Sequence, residues 1–380
     1  MTFGDNSLRG RDRIPARDMR HSSDTLKREI MSKLRILGMI IPILAFVSIG
    51  RSQAPELRSL LELSGNWKFE LGDDVRWSNP AFDDSKWDRI HVPSPWEEEG
   101  YPGYDGYAWY RKHFQADEDF REMSLYLRIG YIDDVGEIFL NGHMIGYEGT
   151  FPPNFNTGYA IANEWSIPKE YFRYGSDNVI AVRVYDRQQA GGITRGDIGI
   201  YERRNILRPD LDLSGNWKFK TGDEESWSES SFDDSHWKEL KVPLMWDVQG
   251  YKDYDGFGWY RVKFRIPADL ANQRLVLLLG RIDDMDEAYL NGELIGRTGR
   301  PRHGLSRNDI GTNYRQQRAY SIPRSLLKPN EENTLAVRVL DLWMHGGIYD
   351  GPVGLVTRDE YNARRERSKT PWDILRDLFR

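Results

Sequence analysis

The sequence predicts an all-β protein: two tandem jelly-roll β-sandwich domains followed by a short C-terminal helix. Three observations carry this. First, whole phrases recur. "LSGNWKF" occupies Leu63–Phe69 and returns at Leu213–Phe219, and "FDDSKW" (Phe82–Trp87) is answered by "FDDSHW" (Phe232–Trp237). "VPSPWEEEGY" (Val92–Tyr101) is answered by "VPLMWDVQGY" (Val242–Tyr251), and "YDGYAWYR" (Tyr104–Arg111) by "YDGFGWYR" (Tyr254–Arg261). These hold an offset of 150 residues, whereas "SIP" (Ser166–Pro168, Ser321–Pro323) and "GGI" (Gly191–Ile193, Gly346–Ile348) hold 155. A period of that size is a domain, far above the roughly 20–50 residues of a solenoid repeat. Second, short alternating segments bounded by turn residues follow one another along each copy. Third, helical periodicity is nearly absent inside the repeats.

The elements of the first copy come in order. "NWKFEL" (Asn66–Leu71) alternates before Gly72, and "RIHVP" (Arg89–Pro93) stops at a proline, which cannot donate to a ladder. "WYRKHFQ" sets Trp109, Arg111 and His113 against Tyr110, Lys112 and Phe114. "SLYLRIG" ends at Gly130, "GEIFLNG" ends in an Asn-Gly turn signal, and "NVIAVRVYD" runs long and β-branched to Asp186. The second copy repeats them as "RLVLLLG", "DEAYLNGELIG" and "NTLAVRVLD". Each copy is thus expected to be a sandwich of eight or so strands. The helix lies outside the repeats. In "TPWDILRDLFR", Thr370 is the N-cap and Pro371 the first helical residue, and Trp372, Leu375 and Phe379 share one face with Leu378 beside them.

Composition narrows the class. A chain of 380 residues accommodates two such domains, at 55–204 and 205–360, with a tail at 361–380. Aromatic residues make up 13%, with 13 Trp, as β-cores filled by large rings require. The net charge of −6 is asymmetric: residues 1–54 carry ten Lys/Arg and five Asp/Glu, which leaves −11 on the rest. No basic stripe with interleaved aromatics occurs, which argues against a nucleic-acid partner. "MSKLRILGMIIPILAFVSIGRSQA" (Met31–Ala54) reads as a signal peptide: Lys33 and Arg35, an apolar run Ile36–Ile49, then small residues. The run is shorter than the roughly 20 residues of a membrane span, so no stable membrane insertion is expected after cleavage. Residues 1–30 read as disordered or untranslated. With no cysteine, the fold has no disulfide framework, as suits a bacterial periplasmic or secreted protein whose cores suffice.

Together the landmarks "LSGNWKF … FDDSxW … VPxxW … YDGxxWYR … IDD … LNG … AVRVxD … GGI" resemble the sugar-binding domain of family 2 glycoside hydrolases, a galactose-binding-like jelly roll. The resemblance covers Leu63–Tyr201 and again Leu213–Val356. In those hydrolases a catalytic TIM barrel of some 250 residues follows. Here a second copy follows instead, so the resemblance implies the accessory domain twice and no catalytic barrel.

The repeats themselves offer no evident catalytic set. Glycoside hydrolysis needs two carboxylates roughly 5–9 Å apart. Asp83–Asp84, Asp133–Asp134, Asp233–Asp234 and Asp283–Asp284 are sequence neighbours, which on a strand point to opposite faces. In "FDDSKW" the aspartates read as turn caps. "IDD" bonds a neighbouring loop or ligates calcium through oxygen, so no cofactor is expected beyond a structural calcium. No "GxSxG" nucleophile elbow is present, and the seven His lack metal spacing. No catalytic or dedicated metal residue is therefore assigned.

By the resemblance, rim loops of the sandwich face the ligand. They correspond to Gly100–Arg111 with Gly250–Arg261, and to Tyr185–Asp197 with Leu340–Pro352. Sugar recognition asks for aromatic platforms beside acidic or basic hydrogen-bonding groups. Tyr104, Asp105, Asp186, Arg195, Tyr254, Asp255, Asp341, Trp343 and Asp350 supply that mixture, whereas Trp109 and Trp259, flanked by alternating residues, read as core. The leading expectation is an exported, non-catalytic carbohydrate-binding protein. The alternatives are a β-galactosidase-like accessory subunit, a hydrolase with a site between the sandwiches, or a protein-interaction module. Expected partners are carbohydrate and a separate glycosidase or other protein.

Overall fold

The computed structural model describes residues 57–204 and 206–367. The expected signal segment, the N-terminal 30 residues and the helix at 370–380 lie outside the described residues. Each repeat folds into two facing sheets. In the first, strands β1 (Leu57–Glu62), β10 (Gly192–Arg203), β5 (Leu125–Asp133) and β8 (Asn163–Ser166) form a four-stranded sheet in that order. The opposite sheet runs β3 (Asp88–Val92), β2 (Gly65–Leu71), β4 (Gly106–Gln115), β9 (Asp177–Asp186), β6 (Val135–Leu140) and β7 (His143–Glu148). The second repeat has the same plan. β11 (Leu211–Asp212), β20 (Gly347–Thr357), β15 (Leu275–Asp283) and β18 (Gln317–Ser321) face β13 (Lys238–Val242), β12 (Gly215–Thr221), β14 (Gly256–Arg265), β19 (Glu332–Asp341), β16 (Met285–Leu290) and β17 (Glu293–Thr298).

Each sandwich thus has ten strands where the sequence suggested eight or so. The extra ones were hidden for local reasons. β10 contains "GITRGDIG", whose glycines read as a loop. In the fold they sit in a bulged strand whose register against β5 shifts between Ile193 and Arg195 and again before Ile198. A helix at Arg358–Arg367 was also unforeseen, because "RDEYNARRER" has no apolar stripe; it docks through Tyr361 onto Val276, Leu278 and Val356.

The alternation read in β4 is the key to the layering. Tyr110 and Phe114 point into the main core with Trp67, Phe69, Trp96 and Ile129. Trp109 points the other way, into a smaller cluster with Trp87, Phe139 and Ala181, covered by Trp77 and Phe82. The loop between β2 and β3 lies over this outer face, and the aromatic cage is the same in both copies. Trp77 meets Trp87 edge-on at 5.2 Å and Trp109 at 6.2 Å; Trp227 meets Trp237 at 5.1 Å and Trp259 at 6.2 Å. Such pairs add about 0.5–1.5 kcal/mol beyond area burial.

Arg111 and Arg261 share that outer face and are fully buried. Arg111 Nε donates to Asp84 at 2.6 Å, and its Nη1 to the carbonyls of Trp77 and Asn79. Arg261 repeats this with Asp234 at 2.7 Å and the Trp227 carbonyl. "FDDS" therefore divides its labour. Asp83 and Asp233 accept from Ser85 N and Ser235 N as the expected turn caps, while the second aspartate pins the loop to the sheet.

The two sandwiches meet in a polar seam within one compact unit. Tyr126 donates to Asp350 at 2.6 Å, and Arg203 bridges Asp350 (2.7 Å) and Glu164 (3.0 Å) while lying over the Tyr126 ring. Tyr147 of β7 donates to Asp247 and packs edge-on against His345. Met245 of the second repeat joins the first core. Between them lies a cavity of about 260 Å³ lined by Glu148, Arg203, Arg281, Asp283, His345 and Asp350, among others.

Two outcomes follow. Asp234→Ala leaves the Arg261 guanidinium buried without its carboxylate and should lower stability by about 3–5 kcal/mol in urea unfolding. Adding Arg261→Met should recover much of that, and an unchanged midpoint for the single variant would show the pair is dispensable. The second concerns Glu148, whose carboxyl is pushed up to about 7 by burial. A carboxyl raised on folding contributes stability that is complete below the unfolded value and is lost as pH rises through about 7. Glu148→Gln should therefore melt above wild type at pH 8, and the gap should close near pH 4. Equal differences at both pH values would refute the assignment.

Candidate functional site

β5 ends at Asp133 and β6 begins at Val135, yet the two strands belong to opposite sheets. Asp134 alone carries the chain across, and Asp284 does the same between β15 and β16. The expectation that these neighbours point to opposite faces does not hold. Alternation holds inside a strand, but at a crossing the two side chains are free to converge. One carboxylate oxygen from each of Asp133, Asp134 and Asp186 lies within 4.8 Å of the others, and Asp283, Asp284 and Asp341 form the same triad.

Main-chain donors from the loop after β9 face the first triad. Arg187 N donates to Asp134 at 3.1 Å, and Gln188 N to Asp186 at 3.1 Å. Leu342 N and Trp343 N do this for Asp284 and Asp341 after β19. Burial, with Asp134 close by, pushes Asp133 up to about 6; burial pushes Asp186 up to about 7 and Asp341 up to about 9. Asp283 is raised by burial and by its bond with Asp284.

The remaining expected site residues divide. Asp105 and Asp255 are exposed and add negative charge beside the triads. Burial, with Asp253 near, raises the Asp255 carboxyl. Tyr104 and Tyr254 use their hydroxyls on their own turns, donating to Tyr107 O and Phe257 O at 2.7 Å each. Their rings sit edge-on against Trp96 and Trp246, so they prop the rim. Arg195 is exposed in β10, over the Tyr131 ring at 4.3 Å. Its place is set by a close crossing: Gly130 has φ +65°, and a Cβ there would lie 2.2 Å from the Arg195 carbonyl oxygen. The matching residue in the second copy, Asp350, is engaged by Tyr126 and Arg203 in the seam. Trp109 and Trp259 are core, with no exposure. Trp343 is 48% exposed, and no other described Trp is exposed.

The "GGI" motif has a packing role. Gly191 and Gly346 lie flat on the indoles of Trp96 and Trp246, where a Cβ would come within 2.3 Å and 2.2 Å. The Gly191 and Gly346 N–H groups donate to Glu97 and Asp247, residues that the reading of "VPxxW" passed over. Their signal was present: an acidic residue directly after each Trp.

The sequence matches the family described as "Beta-galactosidase second all-beta domain" twice, over residues 72–190 and 222–344. The chain belongs to this family. Both copies are thus sugar-binding-type jelly rolls of family 2 glycoside hydrolases, and no TIM barrel occurs among the described residues. Among curated relatives, the beta-galactosidase BoGH2A of Bacteroides ovatus is 27% identical over 183 residues, 44% of this chain and 19% of the relative. A beta-galactosidase of Thermoanaerobacter pseudethanolicus is 27% identical over 144 residues, 34% of this chain and 17% of the relative. The chain therefore spans less than a fifth of the length of these relatives. Solved beta-glucuronidases of Lactobacillus rhamnosus and Bacteroides uniformis align over 80% and 76% of this chain and 44% and 28% of theirs. Their TM-scores are 0.33 and 0.33, and their identities 13% and 18%.

Proposed function

We propose that the chain is an exported, non-catalytic carbohydrate-binding protein, periplasmic or secreted, that acts on its own or beside a separate glycosidase. The observation that carries this is Trp343, a large apolar ring held in solvent between Asp341 and the Gly346–Gly347 pair. An exposed indole on the loop that follows Asp341, with the exposed Asp255 near that carboxyl, matches what a sugar presents: a C–H face to stack on and hydroxyls to donate. The relatives named as beta-galactosidases act on sugars and make carbohydrate the natural ligand class. Among the described residues no helix is long and apolar enough to cross a membrane.

A shallow rim buries little ligand, so affinity should be weak, roughly millimolar to micromolar. In a glycan-array screen of the full chain, Trp343→Ala should remove about 1–3 kcal/mol of binding while leaving the melting temperature nearly unchanged. If the variant unfolds, the indole is structural and the site assignment fails. If binding is absent in wild type and variant alike, the protein-interaction reading takes its place. Export has its own check: protein recovered outside the cytoplasm should lack Ile36–Ile49, and full-length chain confined to the cytosol would overturn it.

The cavity between the sandwiches supports a second reading. Glu148, raised to about 7 by burial, shares it with Asp283 and His345, and a carboxyl poised near neutrality suits acid catalysis. Hydrolysis of nitrophenyl glycosides that Glu148→Gln abolishes would establish a hydrolase with an inter-domain site.

A further inference from the structure

The same three carboxylates meet at the rim of each sandwich: Asp133, Asp134 and Asp186, and 150 or 155 residues later Asp283, Asp284 and Asp341. The third member is the informative one. Asp186 and Asp341 have no solvent exposure, and in each the Oδ2 atom has no hydrogen-bond donor among the described residues. The nearby main-chain donors are already engaged, with Gln188 N and Trp343 N on Oδ1 of these same residues. A buried carboxylate oxygen without a donor is costly, and two repeats have kept it at equivalent positions.

Among the described residues no Lys or Arg side chain is hydrogen-bonded or ion-paired to a carboxylate of either triad, and Arg195 and Arg318 act on Asp133 and Asp283 only through space. Arg195, near the first, is exposed and lies over the Tyr131 ring. Arg318, near the second, is bound to Asp286 and to the carbonyls of Ile282, Asp284, Asn313 and Gln316. Asp105 and Asp255 add further negative charge.

We propose that each triad binds one divalent cation, and that the cation is calcium. The donors are all carboxylate oxygens, without His or Cys, which selects a hard ion over zinc or copper. Calcium takes six to eight oxygens at about 2.3–2.6 Å, so two oxygens on opposite sides of it lie roughly 5 Å apart. Three oxygens mutually within 4.8 Å fit one such shell, with water completing it. Magnesium demands tighter octahedral geometry and keeps most of its waters, so it is the poorer match. The two sites differ in access. Asp133 and Asp134 are half-buried, whereas Asp284 is 2% exposed and Asp283 faces the cavity between the sandwiches. The first ion exchanges quickly and the second slowly.

The inference goes beyond the carbohydrate reading, and its test uses no sugar. The full chain, stripped with EDTA, is titrated with CaCl2 by calorimetry and followed by thermal unfolding. Two calcium ions per chain are expected, with a rise in melting temperature that the same concentration of MgCl2 does not match. Asp186→Asn and Asp341→Asn should each remove one ion, the quickly exchanging one for Asp186→Asn and the slowly exchanging one for Asp341→Asn. Terbium titration of wild type, with tyrosine- or tryptophan-sensitised emission displaced by calcium, keeps the question decidable if a variant fails to fold. No heat, no melting shift and no displaceable terbium up to about 10 mM calcium, beyond the weakest affinities of extracellular calcium modules, would overturn the proposal. So would variants that bind as wild type does.

Discussion

One residue must carry the chain from one sheet to the other at the rim of each sandwich, and the candidate site depends on that constraint. Asp134 crosses between β5 and β6, and Asp284 between β15 and β16. So short a crossing leaves no room for a loop, and it sets the end of β5 beside the end of β9. Asp133, Asp134 and Asp186 are thereby gathered although 52 residues separate the last two. Like charges packed this closely disfavour ionisation, which is why burial and repulsion act together on Asp133. The main-chain N–H groups of Arg187 and Gln188 relieve only part of this.

The sheets behind the crossing are fastened on both faces. Arg111 and Arg261 fasten the β2–β3 and β12–β13 loops over the outer sheet face, so the aromatic cage there is a second core. On the inner side Trp96 and Trp246 fill the space beneath the "GGI" glycines, and Glu97 and Asp247 hold the Gly191 and Gly346 N–H groups. The rim is thus clamped from both faces, with its acidic residues projecting from fixed backbone.

Much of this was legible in the sequence. The repeat offset, the alternation in β4 and the turn chemistry of "FDDS" gave the fold class and the buried state of Trp109 and Trp259. What was not legible involved contacts between segments far apart in sequence. Period-two reasoning put Asp133 and Asp134 on opposite faces because it could not see that β5 and β6 lie in different sheets. Nothing local shows that the Tyr104 hydroxyl turns back onto the Tyr107 carbonyl. The partners that engage Asp350, Tyr126 and Arg203, stand in the other repeat, which no local signal shows.

That last case explains where the repeats diverge. "RQQAGGITRGD" and "LWMHGGIYDGP" share a backbone path, yet Met344, His345 and Asp350 all touch the first sandwich through Tyr147, Tyr126 or Arg203. The corresponding stretch of the first copy keeps Arg195 in solvent. Part of this divergence lies in the seam: Met344, His345 and Asp350 meet the first sandwich, while Trp343 on the same loop stays 48% exposed. Duplication then does more than double a site. It places one acidic triad at an accessible rim, where Asp105 and Arg195 stand exposed, and the other against a cavity whose wall is the first domain. The same carboxylate donors thus meet solvent at one rim and a neighbouring domain at the other.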